Sequence, residues 1–270
     1  MTRRWCIPIA TLVLVLGSLL AAAGSAAAAT ATHPAAARVV QPGGIMTRPS
    51  GAARASAGRH RSTTDESTNW SGYAVTGANG AFKSVSASWT EPTGKCTSRR
   101  AEQASSFWVG LDGFSSDSVE QTGTDVDCNG TTPDYYGWYE MYPAASVDFS
   151  NTVKPGDKFS ASVTFSGTET FTLVLKDTTR GWTQTITKNE TGLARSSAEV
   201  ITEAPSTESG ILPLTDFGSV SYSVSDANGT SLGTQSPTEI IMIDNNGSDK
   251  DSTSAITSAG AFGNTWIRSN

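Results

Sequence analysis

Beyond Val85, large apolar residues recur at every second position: Val85-Ser-Ala-Ser-Trp89, Phe159-Ser-Ala-Ser-Val163-Thr-Phe165, Phe171-Thr-Leu-Val-Leu175, Trp182-Thr-Gln-Thr-Ile186 and Val220-Ser-Tyr-Ser-Val224. A period of two predicts strands with one apolar and one polar face. Turn-forming residues separate them at short intervals, as in Ala78-Asn79-Gly80, Lys154-Pro-Gly-Asp157, Asn228-Gly229 and Asn246-Gly247, and no segment offers a capped amphipathic helix of useful length. The pattern predicts an all-β fold, a β-sandwich of two antiparallel sheets of the lectin-like jelly-roll kind. No repeat of fixed period is present.

The chain before this pattern has a different character. Arg3 and Arg4 precede an apolar run from Ile7 to Leu20 and the tract Ala26-Ala27-Ala28-Ala29, which reads as a secretory signal peptide over residues 1–29. The run is too short to span a bilayer comfortably, so a secreted, extracellular product free of the membrane is expected. Residues 30–61 are mostly Ala, Gly, Pro, Ser and Arg, with five Arg and no acid. Such a composition buries too little surface to order itself and reads as a basic low-complexity propeptide or linker. Residues 62–270, about 209 in all, suit one well-buried β domain, expected as a monomer. Cys6 falls in the signal peptide. Cys96 and Cys128 are then an even pair in an oxidising compartment, and a bridge would close a loop of about 33 residues, stabilising by about 3–4 kcal/mol.

Charge narrows the chemistry. Residues 1–61 hold seven of the 19 basic residues, no Asp or Glu, and both histidines, His33 and His60. The remaining domain has twelve basic against 25 acidic side chains and no imidazole. Ser-His and Cys-His nucleophiles are excluded there, and the usual zinc sites lose their main ligand. A net charge of −13 repels a phosphate backbone, and no Gly-rich loop followed by Lys appears, so no nucleic acid, nucleotide, metal or other cofactor is expected. The stretch from Asp244 to Asp251 lacks the spacing of a calcium loop and reads as a polar turn.

Carboxylates, amides and aromatics remain, in three clusters. The first is Ser106-Phe-Trp-Val-Gly-Leu-Asp-Gly113 with Val119-Glu-Gln-Thr-Gly-Thr-Asp125, where Gln121 and Val119 share a face opposite Glu120. The second, Tyr135-Tyr-Gly-Trp-Tyr-Glu-Met-Tyr-Pro143, alternates Trp138, Glu140 and Tyr142 onto one side. That side suits either a bound peptide or sugar ring, or a core with a carboxylate at its rim. The third, Ser197-Ala-Glu-Val-Ile-Thr-Glu203, puts Glu199, Ile201 and Glu203 on one face, which is either a solvent face or the lining of a polar cleft.

Together with Asn69-Trp70-Ser71-Gly72 and Leu214-Thr-Asp-Phe-Gly218, these segments occur in an order and spacing that resembles the glutamic peptidases, or eqolisins, secreted acid endopeptidases. The resemblance spans about Asn69 to Ile243; the stretch from Ser252 to Asn270 does not align clearly, and Val200 departs from an aromatic in the family pattern. What it implies is a catalytic dyad of Gln121 and Glu203 on the hollow face of one sheet, with Trp70, Trp108, Asp112, Asp125, Trp138, Glu140 and Tyr142 lining the substrate pocket. The implied partners are protein or peptide substrates, and the charge asymmetry adds the chain's own basic N-terminal segment, expected to sit against carboxylates such as Asp112, Asp125 and Glu140 at neutral pH as an intramolecular inhibitor and to be released on acidification. A lectin-like carbohydrate-binding module and a β-sandwich glycoside hydrolase are the alternatives, and neither has a use for the Gln121 amide.

Overall fold

A computed structural model describes residues 40–49, 64–99 and 101–270; the expected signal peptide and most of the basic segment lie outside these described residues. The five period-two runs form the strands Ser84–Thr90, Lys158–Phe165, Thr170–Asp177, Trp182–Asn189 and Ser219–Ala227. With Phe262–Trp266 and Asp251–Thr253 they make one sheet. The second sheet has eight strands in the order Thr64–Ser67, Thr238–Met242, Trp70–Thr76, Ser197–Glu203, Gln103–Asp112, Val119–Asn129, Thr132–Tyr142 and Val147–Asp148. All pairings are antiparallel except the outermost, Thr64–Ser67 against Thr238–Met242. The C-terminal stretch that the sequence motifs left unaligned thus supplies the last two strands at one end of the first-named sheet, with Asp251–Thr253 at its edge.

Between the sheets lies one apolar core, in which Phe107, Val109, Leu111, Val126 and Val200 face Val85, Trp89, Phe159, Leu173 and Tyr222. Phe217, from the Leu214–Gly218 motif, packs edge-on against Phe107 at 5.5 Å. Cys96 and Cys128 are joined by a disulfide.

One expectation needs correcting. In the three central strands Gln103–Asp112, Val119–Asn129 and Ser197–Glu203, every residue except Asn129 is buried. The period-two alternation holds, but the polar side is not a solvent face. A second apolar cluster covers it, built from Trp70, Trp108, Trp138, Ile201, Val119, Phe114 and Met46. Met46 comes from the basic segment, which was expected to stay weakly structured. Its apolar residues decide the outcome: Val40 and Met46 are buried on the domain, although the stretch forms no regular strand.

Candidate active site

Strand register assigns the side chains to faces, because residues directly opposite one another project to the same side. One row across the sheet runs Ala74, Glu199, Gly110, Gln121, Glu140; another runs Trp70, Glu203, Ser106, Asp125, Tyr136; between them lie Gly72, Ile201, Trp108, Gly123 and Trp138. All three rows are on the side turned away from the core, whereas Glu120 is on the core side with Thr122 and Thr124. The sequence grouping of Gln121 with Val119, of Trp138 with Glu140 and Tyr142, and of Glu199 with Ile201 and Glu203 is therefore one continuous surface. The third cluster lines a polar cleft.

Glu203 is held in it through both carboxyl oxygens. The Trp108 indole N–H donates to Oε2 at 2.8 Å, and the Asn69 amide donates to Oε1 at 3.2 Å. Trp108 is aimed by an edge-on contact with Trp70, 4.8 Å between ring centres, and it lies across Gly123, where a Cβ would sit 2.5 Å from the Trp108 Cβ. This explains the glycine in the Gln121–Asp125 motif: a Cβ there would also meet the Phe107 carbonyl oxygen at 2.2 Å and force apart the strand that presents Trp108. Burial drives the Glu203 carboxyl well above the usual range, the Glu140 carboxylate adds to the rise, and the bonds from Trp108, Asn69 and Trp70 oppose it.

Gln121 is fixed by Glu140, whose Oε2 accepts from the Gln121 amide at 2.6 Å. Burial pushes Glu140 up to about 8, against hydrogen bonds from Gln121 and the Gly44 backbone. Asp125 accepts from the Ser106 hydroxyl at 2.6 Å and is raised by burial and by the neighbouring Asp127. Glu199 is raised by burial and by Asp112.

The cleft is occupied by the chain itself. Residues 40–49 cross it: Gln41 pairs with Ser206, the Met46 N–H reaches the Gly113 carbonyl at 3.1 Å, and the Thr47 carbonyl accepts from Thr68 N–H at 2.9 Å. Gly43 passes so close that a Cβ there would lie 2.4 Å from Gln121 Nε2 and 2.6 Å from Glu140 Oε2. Two residues on, the Ile45 carbonyl accepts from the Asn69 amide at 3.1 Å. A three-residue stretch thus touches Gln121 and the group that holds Glu203. A space of about 200 Å³ remains beside it, bounded by Glu140, Tyr142, Pro143, Ser206 and Ile211.

Among the described residues, the crossing contacts are backbone and apolar ones rather than the charge pairs the sequence had suggested. Arg48, the one arginine of the basic segment among the described residues, pairs with Asp65 at 2.8 Å and lies over the Phe114 ring. Asp112 is taken instead by the backbone N–H groups of Arg195 and Ser196, at 2.6 and 2.8 Å, and is a tether for that loop rather than an open pocket wall. Trp70, Trp108 and Trp138 are fully buried with residues 40–49 in place, in one cluster with Met46.

Comparison with known proteins now decides the family. The model of the peptidase A4 family matches residues 68–266. The chain belongs to the peptidase A4 family. Within that family it is 31% identical to aspergillopepsin-2 of Aspergillus niger over 205 residues, covering 67% of this chain and 72% of the relative. It is 36% identical to scytalidopepsin B of Scytalidium lignicola over 142 residues, half of this chain and 51% of that one. Among solved structures, scytalido-glutamic peptidase with a transition-state analog inhibitor superposes with a TM-score of 0.63 at 28% identity, over 74% of this chain and 98% of that one. The aspergilloglutamic peptidase of Aspergillus niger gives 0.55 at 28% identity, over 61% and 99%. The A4 match extends through Trp266, so the strands at 251–253 and 262–266 belong to the family unit.

Two parts of this A4 site were not identified from the sequence. Asn69 enters the sequence reading only as part of its motif, where nothing marks it out; it is buried, whereas Asn129, Asn189, Asn228 and Asn246, the other asparagines in Asn-x-Ser/Thr triplets, are exposed. The crossing segment was read by its arginines, and its signal was the Gly43-Gly44-Ile45-Met46 run: a flexible pair followed by two large apolar residues. Among the described residues, no group of three or more carboxylate, histidine or cysteine side chains converges as a metal site.

Proposed function

We propose that the mature domain is a secreted, acid-active endopeptidase that hydrolyses peptide bonds with Gln121 and Glu203 and a water between them. The observation that carries this reading is the pair of N–H donors on Glu203, which hold both carboxylate oxygens on the face that also carries Gln121. Ionised Glu203 takes a proton from the water as it attacks the scissile carbonyl. The Gln121 amide donates to the oxyanion that develops, and Glu203 returns the proton to the departing nitrogen. Glu140 holds the Gln121 amide in place, and at acid pH it is itself neutral.

Losing one oxyanion donor typically costs about 10²–10³ in rate. Gln121→Ala is therefore expected to lower kcat on a denatured protein at acid pH by that factor while leaving a measurable residue. Wild-type kcat in this variant refutes the dyad.

The full-length chain, in this reading, is a latent form in which residues 41–47 close the cleft as a strap. Its backbone fits where a side chain cannot: Gly43 has φ +87° and Gly44 φ +111°, a region that disfavours L side chains. A methyl at residue 43 meets a Gln121 amide that cannot swing aside without losing its bond to Glu140. Gly43→Ala is expected to loosen the strap, so that the precursor processes itself faster than wild type and a synthetic peptide of residues 40–49 bearing the change inhibits at least about tenfold more weakly. Equal inhibition by the two peptides rejects the strap. Its removal also rehydrates Glu203, which lowers the carboxyl toward the ordinary value of about 4.3, the range where a carboxylate base serves at acid pH.

A further inference from the structure

Asn69 has more bonds than a turn residue needs. Its amide orientation is settled by the backbone around it: Oδ1 accepts from the Thr47 N–H at 2.8 Å, and Nδ2 donates to the Ile45 carbonyl at 3.1 Å. The Nδ2 group therefore has its second hydrogen on Glu203 Oε1. Ser67 backs this arrangement from inside the sheet edge, its hydroxyl within 3.0 Å of Asn69 Oδ1 and accepting from the Asn69 and Trp70 N–H groups. When the strap leaves, Ser67 remains on Oδ1, the hydrogen on Glu203 stays in place, and the hydrogen on Ile45 is freed toward the cleft.

We propose that Asn69 is a positioning residue of the peptidase, with one amide hydrogen orienting Glu203 and the other binding a backbone carbonyl of the substrate where the Ile45 carbonyl now sits. The inference rests on the reading of Glu203 as the base. It makes the strap a stand-in for substrate: a peptide of any sequence has a carbonyl to offer, so the contact registers the chain against the base without selecting side chains. Trp108 then fixes the other oxygen, and Glu203 is oriented from both sides. The charged groups acting on Glu203 are carboxyls, Glu140 and Asp125, so these neutral donors are what favours its ionised form.

The test uses the full-length chain with Asn69→Ala and Asn69→Asp, the second keeping an oxygen for Ser67. Limited trypsin cleavage after Arg54, Arg59 or Arg61 prepares all forms alike, without calling on their own activity, and Glu203→Gln is assayed beside them. Both Asn69 variants are expected to lose about 10–100-fold in kcat/KM, with a raised KM. The acid limb of the rate profile is expected to move upward by about one pH unit, since one variant lacks the donor and the other sets a second carboxyl beside Glu203. A purely structural Asn69 lowers melting temperature but leaves KM and the acid limb of the folded fraction alone, and that result overturns the proposal while an inactive Glu203→Gln keeps the dyad. If Glu203→Gln digests protein at the wild-type rate, the base itself is misassigned and the proposal falls with it.

Discussion

Glu203→Gln is expected to eliminate proteolysis, lowering kcat by at least about 10³–10⁴, more than Gln121→Ala. The carboxyl group is asked to serve twice, as base toward water and as acid toward the leaving nitrogen, and an amide serves neither step. No other cleft carboxyl holds that position: Glu199 is four residues away along the same strand, opposite Gly110 rather than Ser106. Glu140 is committed to Gln121, Asp125 to Ser106, and Asp112 to the backbone of Arg195 and Ser196. The fold should survive the change, because Gln occupies the same volume and its oxygen still accepts from Trp108 or Asn69. One of those two donors is left facing an NH₂ group, a cost of about 1–3 kcal/mol, offset by removal of a buried ionisable group. The measurement is digestion of denatured protein at acid pH, with a melting curve on the same sample. A folded Glu203→Gln enzyme that digests at the wild-type rate eliminates the assignment.

The second large effect is on stability. Glu91 and Glu120 lie inside the domain with folded-state pKa values pushed up to about 8 and about 9, in both cases chiefly by burial. Glu140 reaches about 8 and Asp251 about 7 for the same first reason. Below about pH 4 these groups are protonated whether the chain is folded or not, so folding gains and loses nothing from them. As pH rises past the unfolded value, the unfolded chain releases protons that the folded chain retains. Stability then falls by about 1.4 kcal/mol per pH unit for each group until its folded value is passed. Lys250, lowered to about 8 by burial, stays protonated in both states through most of this window and does not offset the loss. Against a usual total of about 5–15 kcal/mol, four such carboxyls are enough to unfold the domain near or above neutrality. Denaturant titrations of the Glu203→Gln protein, which avoid self-digestion, should show the highest midpoint in acid and a steep decline from about pH 5 to 8. Glu120→Gln should flatten that decline by about one proton's worth. A midpoint that is constant or rising across the range contradicts the protonated core.

The same residues explain what was legible in the sequence. Alternation in Phe159–Phe165 or Phe171–Leu175 reports a half-apolar strand directly, and so the two sheets and the three shared faces around Gln121, Glu140 and Glu203 follow from counting by twos. Coverage is another matter. Whether the polar side of Ser197–Glu203 meets water or protein depends on residues far along the chain: Met46, Phe114 and Trp138 all come from other segments. Alternation is a local property and contains no term for that. Asp112 and the strap show the same limit from the side of charge: the sequence set arginines against Asp112, Asp125 and Glu140, while the fold gives Asp112 to backbone N–H groups, Asp125 to Ser106, Glu140 to Gln121 and Arg48 to Asp65. Asn69 was hidden because an asparagine beside Trp70 reads equally as a turn, a sugar acceptor or a ligand for a distant carboxyl. Only the long-range pairing of the Trp70 and Glu203 strands distinguishes them.

In the proposed latent form, the parallel edge strand Thr64–Ser67 gives activation a particular kinetics. It follows the 14 residues at positions 50–63 that connect it to the strap, and its four residues pair with Thr238–Met242, a ladder to which the strap contributes nothing. A cut anywhere in that connection leaves the new terminus anchored and turns the strap from a tethered ligand, present at an effective concentration of roughly millimolar, into a free peptide that dilutes away. Activation then requires no rearrangement of the domain, and crowded or concentrated precursor should stay partly silent after it has been nicked.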